Sequence, residues 1–425
     1  MIDKIKLSIF EKLHNGYLNK LEETSGVDAD DEDTFIYNTL VKDAGTNEIN
    51  SPRECLHYSK ANLDDEELLF GDISGLKKLE IHISDGFSGS KTRKSKKSTK
   101  SDKSCDGSEN KSIIGTCMTI GFDDYQHPTI PDIYSLKDLF KSVQYLISEK
   151  DYKLGDFKIL TLRRHLHLLL KVPIRKQPIQ FNVIYWQGLV LFAYDWEPEV
   201  EYEKENPSNG IELLLQYSGM NFENILCDDE DNTKSRYYSV VNNTVNDIPL
   251  LYSAEIDCSI DSEPGLSNYV ELKTHSKLLD EKIKTINKLN KKLLEAYCQN
   301  KLIGCQNLVL GFRTLDFKLA SIKTYKTSDV ANIINNDPIF LRHGCTFNTK
   351  ELFRWYDLVI QWLVSQEKNV EIDKPSVFRL SFEREVEMMD SYLNLTKIEN
   401  KLESQRIFNQ TVPEWFQSFV TSQKA

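Results

Sequence analysis

The sequence predicts a mixed α/β fold, with twisted mixed β-sheets flanked by helices. Three observations lead there. Helix-spaced apolar stretches alternate with β-rich runs along the chain. Two of those runs, 181–185 and 189–194, are separated only by a short glycine-containing break at Gln187-Gly188, which marks an antiparallel hairpin. Hairpin connections mixed with helices point away from a doubly wound parallel sheet.

Taken in order, residues 1–22 carry Ile2, Ile5, Ile9 and Leu13 at helical spacing, and an acidic patch at 28–33 reads as a solvated loop. Residues 84–112, rich in Ser, Lys and Gly, read as a disordered insertion. Within it, Lys91-Thr92-Arg93-Lys94-Ser95-Lys96-Lys97 suits a nuclear import signal or an RNA-contacting arm, and equally a solvated loop. Helical spacing returns at 135–147 and 162–170, and after the hairpin at 213–226. Two runs with apolar flanks, around Glu255 and Glu271, read as strands. Residues 276–302 read as a long amphipathic helix with Leu279, Ile283, Ile286, Leu293 and Tyr297 on one side, stopped by Gly304. Strands at 308–312 and 319–325, a helix at 351–364 and a strand at 377–382 follow.

The 425 residues suit one large domain with insertions or two domains, and we read 1–425 as one. A hydrophobic content of 40% with 10% aromatics is that of a globular chain. No run of apolar residues is long enough for a transmembrane helix, and residues 1–10 mix Lys and Asp into the apolar positions, unlike a secretory signal. An intracellular protein is expected, with no membrane partner. Its eight cysteines show no C-x-x-C spacing and read as reduced, mostly buried thiols. A net charge of −12 argues against a polycation that coats nucleic acid, yet permits a basic groove around an acidic site.

That acidic site is the chemistry-bearing feature. Glu255-Ile256-Asp257 precedes Glu271-Leu272-Lys273, and a strand's period of two puts each charged pair on one face. Taken alone, Glu271-x-Lys273 reads first as an exposed strand with a salt pair. The apolar flanks, Leu251 to Ala254 and Tyr269-Val270, argue against an exposed edge. Acids inside apolar strands suit a hard divalent cation. Two Mg²⁺ or Mn²⁺ ions could supply a nucleophilic water, neutralise a phosphodiester and assist its leaving oxygen. An Asp followed by Glu-x-Lys is the arrangement of the restriction-enzyme-like nuclease core. Gly219 to Glu223 adds a third piece, a glycine for close backbone approach and an acid on the preceding helix.

These motifs resemble the DXO family of eukaryotic RNA 5′-end decapping nucleases. The family's four signatures occur in order: Thr161-Leu162-Arg163, Gly219-x-x-x-Glu223, Glu255-Ile256-Asp257 and Glu271-Leu272-Lys273. Similar flanks are Pro52-Arg53-Glu54 with Tyr58-Ser59, Gln299, Gly311-Phe312-Arg313, and Trp355-Tyr356 with Trp362, so the resemblance covers about residues 50 to 385. It implies that Glu223, Asp257, Glu271 and the Leu272 carbonyl bind metal, with Glu255 binding metal or a metal-bound water. Lys273 and Gln299 would address the scissile phosphate and its water, and Leu162, Arg163 and Arg164 the RNA. The implied substrates are faulty or incompletely methylated caps, 5′-triphosphates and nucleotide-cofactor caps such as NAD, with 5′-to-3′ degradation to follow. DNA is not an expected substrate.

Three departures bear on the 5′-end pocket. Arg164, Met220 and Ser253 stand where the family usually has glycine, an aromatic residue and glycine. The segment Tyr217 to Asn224 looks closer to the cytoplasmic decapping exonuclease branch than to the nuclear branch, whose members partner a 5′-to-3′ exoribonuclease. The rival reading is such a nuclear partner protein, with hydrolysis secondary, and the run at 91–97 tilts toward the nucleus. His165 and His167 lie in a leucine-rich helical run, where they diverge and read as core or phosphate-side residues. Trp186 and Arg164 are candidates to stack on or clamp the first nucleotides. No P-loop and no Gly-x-Ser-x-Gly elbow is present.

Overall fold

The computed structural model describes residues 4–6, 52–61, 66–81, 113–125, 133–174, 178–228, 235–342, 349–383 and 392–423. The strands, in chain order, are β1 (Lys4–Lys6), β2 (Arg53–Lys60), β3 (Leu69–Phe70), β4 (Lys78–Leu79), β5 (Ile159–Leu162), β6 (Ile179–Trp186), β7 (Leu189–Tyr194) and β8 (Cys227–Asp228). Then come β9 (Arg236–Val245), β10 (Ile248–Ile256), β11 (Cys258–Ser259), β12 (Tyr269–Ser276), β13 (Asn307–Arg313), β14 (Leu319–Lys326), β15 (Ser376–Glu383) and β16 (Tyr392–Lys397). The helices are α1 (Lys137–Glu149), α2 (Arg163–Leu170), α3 (Glu197–Glu205), α4 (Gly210–Leu226), α5 (Ile283–Ile303), α6 (Thr327–Asn336), α7 (Pro338–Arg342), α8 (Thr349–Ser365), α9 (Lys401–Thr411) and α10 (Glu414–Ser422).

One sheet has the order β1-β16-β15-β6-β7-β5-β10-β9-β2-β3, the other β14-β13-β12-β11-β4-β8. Both are mixed, as the sequence predicts. Strand β5 runs parallel to β7 and β10, whereas β6 with β7 and β9 with β10 are antiparallel hairpins. In the smaller sheet β12 and β13 are parallel, and a parallel neighbour requires a crossover, here α5. Gln187 and Gly188 have φ of 54° and 78°, and Asn246 and Asp247 φ of 45° and 64°. Two successive positive φ values give the type I′ turn that matches strand twist.

Two apolar layers cover the larger sheet. On one face α2, α5 and α8 bury Leu166, Leu294, Trp355 and Trp362. On the other α1, α9 and α10 pack Phe140 on Phe416 at 4.2 Å between ring centroids and Trp186 against Phe408 at 5.3 Å. Leu250, Leu251 and Tyr252 of β10 are fully buried, as expected of a strand covered on both sides. A third cluster, with Phe222, Leu226, Leu272 and Val309, joins α4 to the smaller sheet.

Some expectations need correction. Lys4–Lys6, read as part of a helix, form a strand paired antiparallel with β16; the rest of 1–22 lies outside the described residues. So do the insertion at 84–112 and the acidic patch at 28–33. The helix expected from Ser276 begins at Ile283, because Ser276 still pairs with Arg313 in the sheet and Lys277 N–H donates to Arg313 O at 2.7 Å. Leu279 and Ile283 are consequently exposed. Gly304 does end that helix, with φ of 76°. Helix α4 starts at Gly210, three residues before its expected start, where Asn209 caps the Ile211 and Glu212 amides.

Candidate active site

Asp257 is the single residue between β10 of the larger sheet and β11 of the smaller one. Glu255, two residues earlier, keeps the register of β10, opposite Tyr238. Strand β11 turns back and pairs antiparallel with β12, which carries Glu271, Leu272 and Lys273. Helix α4 packs on β12 and brings Glu223. The close approach this needs is permitted by Gly311 on β13, where a Cβ would overlap the Phe222 ring. Gly219 itself has only Thr274 Oγ1 at 3.9 Å from a built Cβ, so the close approach expected of it is not required there. Arg163 opens α2 where β5 ends, alongside β10.

The side chains interlock. Glu271, 3% exposed, accepts from Arg163 Nη1 at 2.9 Å on one carboxylate oxygen and from Lys273 Nζ on the other. Lys273 Nζ also donates to the Leu272 carbonyl at 3.2 Å. Asp257 Oδ2 accepts the Leu272 N–H at 2.7 Å. Glu255 is held by Arg236 Nη1.

Electrostatics follow from this packing. Burial, then the Glu271 charge, pushes the Asp257 carboxyl up to about 7 against the opposing pull of Lys273, the Leu272 amide and Arg163. Burial raises Glu223 well above the ordinary range, with Asp257 and Glu255 adding to it. Burial works the same way on Glu271, but Lys273 and Arg163 outweigh it and hold that group down at about 2. Lys273 stays charged because Glu271 and Asp257 outweigh its own desolvation.

Glu223, Glu255, Asp257, Glu271 and the Leu272 carbonyl are a set of hard oxygen donors with too much like charge for their burial, which fits a divalent cation of the Mg²⁺ or Mn²⁺ kind. Among the described residues no three acid, histidine or cysteine side chains converge into a finished cage. The physical reason is local. Both oxygens of Glu271 and the Leu272 carbonyl already carry cationic donors, Lys273 and Arg163.

Other expected residues fall less centrally. Gln299 lies on α5 with Oε1 buried and without a hydrogen-bond partner among the described residues. Leu162 is the last residue of β5. Arg164 is exposed, its guanidinium 5.6 Å from the Tyr134 ring centre. Trp186 is not a stacking platform: it is buried against Phe408. His165 is core, its Nδ1 3.1 Å from Phe192 O, and burial lowers it to about 3. Sequence reasoning missed Arg236. The turn at Asn246-Asp247 could have found it, because counting back along that hairpin sets Arg236 level with Asp257.

An acidic strand end next to a Glu-x-Lys strand, with an Asp at the junction, defines a PD-(D/E)XK-type nuclease site. The chain belongs to the RAI1-like PD-(D/E)XK nuclease family, whose profile matches residues 50–417. That match extends beyond the resemblance, to α9 and α10. The chain is 27% identical over 259 residues to the decapping nuclease RAI1 of Scheffersomyces stipitis, covering 53% of this chain and 64% of that one. Rai1 of S. stipitis in complex with (3′-NADP)⁺ and calcium ion has the same fold: TM-score 0.70, 20% identity, 88% of this chain and 96% of that one. Rai1 of Candida albicans in complex with pU5-Mn²⁺ also gives 0.70, with 19% identity, 88% of this chain and 97% of that one. Among the described residues no helix is long and apolar enough to cross a membrane.

Proposed function

We propose that this chain is a divalent-metal-dependent hydrolase of RNA 5′ ends, removing incomplete caps, 5′-triphosphates or nucleotide-cofactor caps, with 5′-to-3′ degradation to follow. The observation that carries it is Glu271 held between Arg163 and Lys273 beside Asp257. Two phosphate-seeking cations and a surplus of buried acid thereby share one site. The names of the relatives, decapping nucleases, and the pU5 and Mn²⁺ bound to the C. albicans protein support the same reading.

Glu223, Asp257, Glu271 and the Leu272 carbonyl would hold the ion or ion pair, with Glu255 binding it directly or through water. Bound divalent ions supply charge neutralisation at the phosphate and an acidified water. Arg163, whose planar fork suits two phosphate oxygens, would transfer from Glu271 to the RNA 5′ phosphate. Lys273 would leave Glu271 for the scissile phosphate, and Gln299, whose Oε1 has no hydrogen-bond partner among the described residues, would orient the attacking water. We place the protein in the nucleus on the basic run at 91–97, which lies outside the described residues.

The test uses end-labelled RNAs bearing an unmethylated cap, a methylated cap, a triphosphate or a monophosphate, incubated with Mn²⁺ or EDTA. Metal-dependent release of an end product, lost in Asp257→Asn, upholds the reading. Inertness on all four ends overturns it.

A further inference from the structure

A cavity of about 210 Å³ lies among β6, β7, α1 and α9. Its walls include Tyr134, Tyr194 and Trp196, and its polar side is formed by Asn182 and Asp195, with Thr411 at the end of α9 on the rim. Asp195 is 5% exposed. Its carboxylate takes a long contact from Arg379 Nη2 at 3.4 Å and a hydrogen bond from the Glu197 amide, and a carboxylate's remaining lone pairs leave acceptor capacity on a buried acid. Asn182 is buried as well, and its Oδ1 has no hydrogen-bond partner among the described residues.

The cavity's place in the fold ties it to the acids. Strand β5 runs parallel to both β7 and β10, pairing Leu160 with Leu191 and Leu162 with Ser253. The period of two then sets Ala193 and Asp195, Leu162, and Ser253 and Glu255 on one face at one end of the sheet. From β7 through β5 to β10 is two strand spacings, about 10 Å. Charged groups bridge the interval. Arg164 lies over the Tyr134 ring. Tyr238, opposite Glu255, feels the charges of Glu255, Arg236, Asp138 and Arg164, and Asp138 belongs to the first turn of α1 that borders the cavity.

We propose that this cavity is a guanine pocket for the terminal nucleoside of an RNA 5′ end, whose phosphates run past Arg164 to the acid site. The inference rests on the function proposed above. Aromatic walls suit any base, because every base has a π face. Asp195 adds the selection: guanine presents two N–H donors on its Watson–Crick edge, whereas adenine would set the N1 lone pair against a buried carboxylate.

Calorimetric titration of the full chain in EDTA with GMP and with AMP tests it. GMP is expected to bind about tenfold or more tightly than AMP, because the mismatched base leaves a buried acceptor unpaired. Asp195→Asn should abolish that preference, and Thr411→Trp, which fills the rim without altering Asp195, should weaken GMP binding. Should Asp195→Asn fail to fold, Thr411→Trp decides. Equal binding of the two nucleotides, or undiminished GMP binding by Thr411→Trp, overturns the pocket. Wild-type hydrolysis of 5′-triphosphate RNA in Mn²⁺ separates the two readings. Hydrolysis without guanine preference sinks the pocket alone, whereas guanine preference without hydrolysis upholds the pocket and sinks the nuclease.

Discussion

Arg163 and Glu271 join the two sheets. Arg163 follows β5 of the larger sheet, Glu271 sits on β12 of the smaller, and Nη1 meets Oε2 at 2.9 Å with side-chain exposures of 12% and 3%. A lysine keeps the charge but not the planar fork. Arg163→Lys should therefore lower kcat/KM on 5′-triphosphate RNA by about 10- to 100-fold through misplacement of the phosphate. Single-turnover rates check this, and a wild-type rate would remove Arg163 from the phosphate site.

Lys273 occupies the oxygens that the ion would need. Its Nζ bonds Glu271 and the Leu272 carbonyl. Lys273→Met should thus bind Mn²⁺ at least as tightly as wild type by calorimetry, while its turnover drops by about 10²- to 10³-fold for want of a cation at the phosphate. In EDTA the same variant should melt lower, because Glu271 loses one of its two partners in a buried setting. Weaker Mn²⁺ binding would show that the ammonium supports the ion site and does not compete for it.

Gly311 admits the Phe222 ring, and Phe222 precedes Glu223. Gly311→Ala should cost about 1 to 3 kcal/mol by overpacking and displace Glu223, lowering activity with stability. Phe222→Leu in the same chain should restore part of both. Urea melts and hydrolysis rates of the single and double variants supply the comparison.

Asp357 on α8 is 9% exposed, with Oδ1 lacking a partner among the described residues, and burial pushes its carboxyl up to about 7. The folded chain favours the protonated acid. Its contribution is complete below about pH 4, the ordinary carboxylate range, and is lost as pH rises through about 7, a span worth at most about 4 kcal/mol. The advantage of Asp357→Asn over wild type should therefore be larger at pH 8 than at pH 5. Denaturant midpoints at the two pH values decide, and parallel profiles would place the titrating group elsewhere.

The acids were legible in the sequence because charge inside an apolar strand is costly and conspicuous. Glu255, Asp257, Glu271 and Lys273 announce themselves by what surrounds them. Strand β9 did not, since Asn242, Asn243 and Thr244 break its apolar alternation and conceal the hairpin that presents Arg236. The Arg163 to Glu271 contact spans 108 residues, a pairing no local pattern encodes. Trp186 misled because an aromatic next to a turn looks available to a base, and only the packing of α9 shows it covered. The cavity around Asp195 is likewise assembled from β6, β7, α1 and α9, whose convergence is a property of topology alone.

Asp257 is a one-residue crease between two stiff plates. One residue takes up little slack, so the placement of β10 against β11 fixes where that carboxylate stands. By the same reasoning, chain length is free to vary in surface loops but not across 256–258, where one added residue would turn the acid away from its site.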